Sequence, residues 1–227
     1  MKRQMSDTLQ VYTLLSLSGG AMDAYSYLCR GKVFANAQTG NMLLFGVNIA
    51  ERNMSLALRY IIPVIAFIFG VVISDIVRSK TANRKIHWRQ ITIAFEAAVL
   101  FSVCFIPQSA NNIANALTSL VCGIQVESFR SVRGNPIATT MCIGNLRSGT
   151  NNLDRFFATK DRSYLKKAVL YYSVIIFFII GAVIESCLIR KFHEAAIIFS
   201  VITLIIVCIL MISGKNDDAD DNYFVGD

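Results

Sequence analysis

The sequence is short of charge. Only 16% of its 227 residues are Asp, Glu, Lys or Arg, against about a quarter in an ordinary soluble domain. Mean hydropathy is +0.51. A soluble fold of this length needs more polar surface than that, so composition points to a chain solvated by lipid. Histidine is equally scarce: His87 and His193 are the only two, and they stand far apart. The six cysteines (Cys29, Cys104, Cys122, Cys142, Cys187, Cys208) occur singly, most of them inside apolar runs, and no pair has CxxC spacing. No metal site is expected from such spacing, and the cysteines read as small packing residues.

Other signatures are missing too. The chain has no GxSxG, HExxH or Walker-type loop, and no His–Cys pair. We therefore expect no enzyme, no catalytic residue and no cofactor. The net charge of +7 comes without a basic face interleaved with aromatics, so nucleic acid is not an expected partner.

What is present is a set of long apolar runs. About six, at 9–29, 57–78, 91–107, 112–132, 165–189 and 194–213, approach or exceed the length that crosses roughly 30 Å of hydrocarbon. Lys and Arg gather in the short segments between them, as positive-inside topology requires. The densest cluster, Arg78, Lys80, Arg84, Lys85 and Arg89 with Trp88 as interfacial anchor, assigns that loop to the cytoplasm. The N-terminus has a basic start and a short apolar stretch, but the stretch runs on past Asp23, so it reads as a first span and not a cleaved signal.

Inside this apolar background lies a polar cassette, GGAMDAYSYLCRGKVFANAQTGNMLLFG, at 19–46. A degraded copy, CGIQVESFRSVRGNPIATTMCIGNLRSG, follows at 122–149. Gly20 aligns with Gly123, Arg30-Gly31 with Arg133-Gly134, and Gly40-Asn41 with Gly144-Asn145. The run at 40–50 is too short for a straight span, with Thr39 or Asn41 available to cap it. Its counterpart is 139–157. Gly70 and Gly181 continue the correspondence, each followed by an acid, Asp75 and Glu185.

The expected fold is an all-α integral membrane protein of about six transmembrane helices plus two short re-entrant or half-membrane helices, built as an internal duplication. Three spans per half give 3+3 inverted repeats with both ends cytoplasmic. If the short segments cross, 4+4 parallel repeats with eight spans result. Residues 1–8 form a cytoplasmic N-terminus, 9–107 the first repeat, 108–213 the second and 214–227 an acidic disordered tail.

The residues Gly19, Gly20, Asp23 and Ala24, then Phe34-Ala35-Asn36, Thr39-Gly40-Asn41, and Gly123 with Gln125, resemble the YoaK family of bacterial membrane proteins, a domain of unknown function numbered 1275. The likeness runs over about residues 10 to 213. Val126-Glu127 and Ile143-Gly144-Asn145 depart from its pattern. The resemblance implies a multi-pass protein of the bacterial inner membrane and supplies no substrate.

Asp23 is the sharpest candidate. An acid at membrane depth faces a bundle interior or a watery cavity, as an ion or proton site or as a structurally bonded carboxylate. Gly20, Thr39, Gly40, Asn41, Gln125, Glu127, Gly144, Asn145 and Arg147 complete the candidate set. Thr39-Gly40-Asn41 and Gly144-Asn145 would bring helix starts to membrane depth, while Glu127 is either a site residue or the partner of Arg130, and Arg147 either an anion partner or an interfacial charge. Asp75 with Arg78 and Glu185 with Arg190 read as interfacial pairs, and Glu96 lies about one turn inside its run. The expected function is a small-solute or ion permease with these residues near the midplane, in contact with the lipid bilayer, a small solute, a proton or a sodium ion, and with a homodimer as a candidate assembly. The alternative is a membrane scaffold, sensor or accessory subunit whose cassettes serve packing.

Overall fold

The computed structural model describes residues 8–81, 87–132 and 134–213. Lys2, Arg3, Arg84, Lys85, Arg133, Lys215 and the acidic tail lie outside them.

Eight α-helices make up the described chain: α1 Leu9–Cys29, α2 Gln38–Ala50, α3 Met54–Thr81, α4 Trp88–Val103, α5 Asn111–Ser128, α6 Cys142–Thr159, α7 Arg162–Phe192 and α8 Ile198–Ser213. A two-stranded antiparallel ladder pairs β1 (Ser131–Val132) with β2 (Asn135–Pro136). The apolar pattern at 112–132 conceals this turn, so the helix expected to reach Val132 stops at Ser128 instead. Gly134, at φ +72°, lies in the ladder's turn, and Gly31, at φ +87°, turns the chain after α1.

The lipid-facing sides are legible residue by residue. On α3, Leu58, Ile65, Ile68, Phe69, Val72 and Ile76 are exposed. On α8 the stripe is Ile198, Ile202, Ile205, Ile206, Ile209 and Ile212. Recurrence at three and four residues puts each set on one helical face. Two segments, Met54–Thr81 and Arg162–Ser213, have the length and hydropathy of membrane spans. With 28 and 31 residues, α3 and α7 measure roughly 42 and 46 Å. α2, with 13 residues, reaches roughly 20 Å.

The two cassette-bearing helices are the buried ones. α1 packs chiefly on α7 and α8, and α5 on α3 and α4. α2 lies against α3, α6 against α7, and α4 against α8. Two pairs of glycines make the long crossings. A Cβ on Gly20 would sit 1.8 Å from Phe178 O, and one on Gly181 2.0 Å from Leu17 O. At the other crossing, a Cβ on Gly70 would sit 2.1 Å from Leu120 O, and one on Gly123 2.2 Å from Phe67 O. Only glycine permits such backbone approach, the device by which membrane helices gain van der Waals contact without hydrophobic drive between them.

A second set of ties is polar. Arg30 is fully buried at the end of α1. Its Nε donates to the Tyr25 hydroxyl at 2.8 Å, one terminal nitrogen to Asn111 Oδ1 at 3.2 Å, and the other to Val103 O at 3.1 Å. Asn115 Nδ2 donates to Arg30 O at 2.8 Å, and the Tyr25 hydroxyl to Glu194 O at 2.9 Å. One guanidinium thus joins the ends of α1, α4 and α5. Trp88, expected as an interfacial anchor, is buried, with the Arg89 guanidinium 5.4 Å from its ring centroid.

Glu185 also departs from expectation. It does not pair with Arg190 at a helix end. It is fully buried on α7, and neither carboxylate oxygen has a hydrogen-bond partner among the described residues. Its position one turn beyond Gly181 puts it on the face that the close α1–α7 crossing covers. Glu96 on α4 is equally buried and equally unpartnered.

Candidate junction of two loops at Gly19

The segment before α2 is sewn to α1. Asp23 Oδ1 accepts the backbone N–H of Asn36 at 2.7 Å. Ser26 Oγ accepts from the Ala35 amide at 3.0 Å and donates to Asp23 O at 3.1 Å. Asn36 Nδ2 then donates to Gly19 O at 2.7 Å.

The segment before α6 reaches the same residue. Thr139 O lies 2.8 Å, and Thr140 Cα 3.3 Å, from the place where a Gly19 Cβ would stand. Gln125 Nε2 on α5 donates to Thr139 Oγ1 at 3.0 Å and to Leu15 O, one turn before Gly19, at 3.1 Å. Two loops about 103 residues apart therefore meet on one glycine of α1.

Each loop is closed by an asparagine in the same way. Asn41 Oδ1 accepts from the Phe34 amide and its Nδ2 donates to Phe34 O, at 3.1 and 2.7 Å. Asn145 does the same to Ala138, at 3.4 and 2.6 Å. The expectation that Thr39 or Asn41 caps the short helix is corrected here. Ala37 holds the N-cap position without a side-chain bond, as Met141 does for α6. Asn41 looks back across the loop because a side chain within the first turn can reach the backbone seven residues upstream once the chain folds over.

The candidate residues separate accordingly. Asp23 and Gln125 stand at the junction, and Asn41 and Asn145 stand behind it. Gly20 adjoins it but serves the α7 crossing, and a Cβ on Gly40 would press on the Phe34 ring at 3.0 Å. Thr39, Gly144 and Arg147 are exposed. Glu127 forms an ion pair with Arg130. The junction adds Asn36, Thr139 and Thr140, all at least 98% buried. Asn36 and Thr140 are 104 positions apart, the spacing of Asn41 and Asn145, so that offset was a signal for them.

Chemically the junction is a set of oxygen acceptors. Asn36 Oδ1, Gln125 Oε1 and Thr140 Oγ1 are buried and have no hydrogen-bond partner among the described residues. No group of three or more His, Cys, Asp or Glu side chains suited to a metal occurs among the described residues. Outside the spans, Asp161 caps α7: Ser163 N and Oγ each donate to its carboxylate at 2.8 Å. These bonds to the charged form hold its pKa below the usual aspartate value.

A family model described as "Protein of unknown function (DUF1275)" matches residues 11–210. The chain belongs to that family. It is also 28% identical over 186 residues to the UPF0700 transmembrane protein YoaK of Bacillus subtilis (strain 168), covering 77% of this chain and 80% of that protein. The family model's 11–210 takes in both loops and both glycine crossings, and the apolar stripes of α3 and α8 agree with a transmembrane relative. No solved structure matches. The DUF1275 chain is a membrane protein.

Proposed function

We propose that the protein is a small-solute or ion permease of the bacterial inner membrane, with both termini cytoplasmic and with the Gly19 junction as its site. The observation that carries this reading is the meeting of two loops on one buried glycine, with unpartnered acceptors from three segments around it. Soluble and membrane proteins alike keep buried polar groups bonded, so leaving several open in one place is a cost that a ligand would relieve. In this reading the chain has six spans, α1, α3, α4, α5, α7 and α8, arranged as 3+3 inverted repeats. α2 and α6 are the short helices that follow each loop, and broken segments meeting between repeats are how many transporters build a site. The exchange of partners supports the duplication: α1 of the first half crosses α7 of the second, and α5 of the second crosses α3 of the first.

A second reading, a scaffold or accessory subunit, rests on a different observation. Asp23, Asn41 and Asn145 spend hydrogen bonds on loop backbone, as structural residues do. Proteoliposomes separate the two. Purified protein is reconstituted with internal pH-sensitive and potential-sensitive dyes and challenged with a panel of ions and small metabolites. Permease function predicts flux of at least one member, lost in Asp23→Asn. Absence of flux across the panel, with Asp23→Asn merely less stable, would favour the scaffold.

A further inference from the structure

We infer that the Gly19 junction binds one dehydrated alkali-metal cation, Na+ or K+, through the Asp23 carboxylate, Asn36 Oδ1, Gln125 Oε1 and Thr140 Oγ1. This rests on the permease reading for its location and names the class of ion that the site takes. The donor set decides the class. All four ligands are oxygens, which suit hard cations and not the softer transition metals. Three are neutral and at least 98% buried, and each lacks a hydrogen-bond partner among the described residues.

Their amide and hydroxyl neighbours fix them in place. The amide nitrogen of Asn36 is held by Gly19 O, that of Gln125 by Thr139 Oγ1 and Leu15 O. Both amide oxygens are thereby fixed in orientation and left open. Asp23 Oδ1 is held by the Asn36 amide at 2.7 Å, so the carboxylate stays next to Asn36. One carboxylate balances one positive charge. A divalent ion would leave a net charge in a low-dielectric interior, where unbalanced charge is most costly. A small neutral solute would meet open acceptors against a single free donor, the Thr140 hydroxyl, because the amide nitrogens are already engaged.

Thr140 provides the test. Its hydroxyl oxygen has no partner, so Thr140→Val keeps the shape and removes one ligand. Without a bound cation, the variant should be as stable as the wild type or more stable, because it deletes an unsatisfied buried group. Thermal unfolding of the full-length protein in detergent is followed in NaCl, KCl and N-methyl-D-glucamine chloride at one ionic strength. The wild type should gain about 5–10 °C in one alkali salt at a hundredfold excess over Kd. Thr140→Val should bind that cation at least about tenfold more weakly. Equal melting in all three salts, or an undiminished salt effect in Thr140→Val, would overturn the inference. Flux of another solute by a cation-insensitive protein would overturn the inference and leave the permease standing. A cation-dependent melting shift without flux would instead support the site and remove the permease.

Discussion

Replacing Gly123 by alanine tests how the bundle is held together. The new Cβ would stand 2.2 Å from Phe67 O and 3.2 Å from Gly70 Cα. Carbon and oxygen need about 3.2 Å or more, so α5 and α3 must part by roughly 1 Å, and a gap of that size forfeits up to about half of each dispersion contact it opens. Overpacking of a tight interface costs about 1–3 kcal/mol, occasionally more. Alanine returns about 1 kcal/mol through helix propensity. The net loss is about 2 kcal/mol at the upper end, or roughly 4–8 °C in Tm for a chain of this size. The control is Gly144→Ala, on the exposed face of α6, where an added Cβ meets nothing within 4 Å. It should be neutral or raise Tm slightly. The assay is thermal unfolding of purified protein in one detergent. Gly20→Ala should repeat the loss at the α1–α7 crossing. If Gly123→Ala melts with Gly144→Ala, the crossing is not set by backbone contact and the packing argument fails.

Asn41→Ala and Asn145→Ala each remove three side-chain hydrogen bonds and should cost similar amounts, about 1–3 kcal/mol, which urea or thermal unfolding of the pair would check. Unequal losses would mean that the loops are not equivalent. Glu185→Met replaces an unpartnered buried carboxyl with an apolar side chain of similar length and should stabilise by about 1–3 kcal/mol, and a lower Tm would show that Glu185 has a partner or a duty. Asp161 has a depressed folded pKa, so its stabilisation is full above the unfolded value and fades as pH falls through the folded one. The stability gap between wild type and Asp161→Ala should therefore be constant near neutrality and shrink below about pH 4, as paired melts across pH would reveal.

Much of this protein is written in local pattern. Charge scarcity and run length determined a helical membrane chain, because a segment in lipid must satisfy its backbone within itself and present apolar side chains outward. The offsets between Gly20 and Gly123 and between Asn41 and Asn145, 103 and 104 residues, marked positions that do play matching parts, since a duplicated sequence places equivalent residues in equivalent turns. Function-bearing choices needed tertiary structure. Hydropathy treats Glu185 beside Arg190 as an interfacial pair, yet the packing of α7 buries the acid. Thr39, Gly144 and Arg147 share a motif with residues of the junction but point outward, because helix rotation, set by which face packs on α3 or α7, is invisible in a single chain's order. Asn36, Thr139 and Thr140 meet only in the folded chain, where the Gly19 carbonyl takes the Asn36 amide and the absent Cβ leaves room for Thr139 and Thr140.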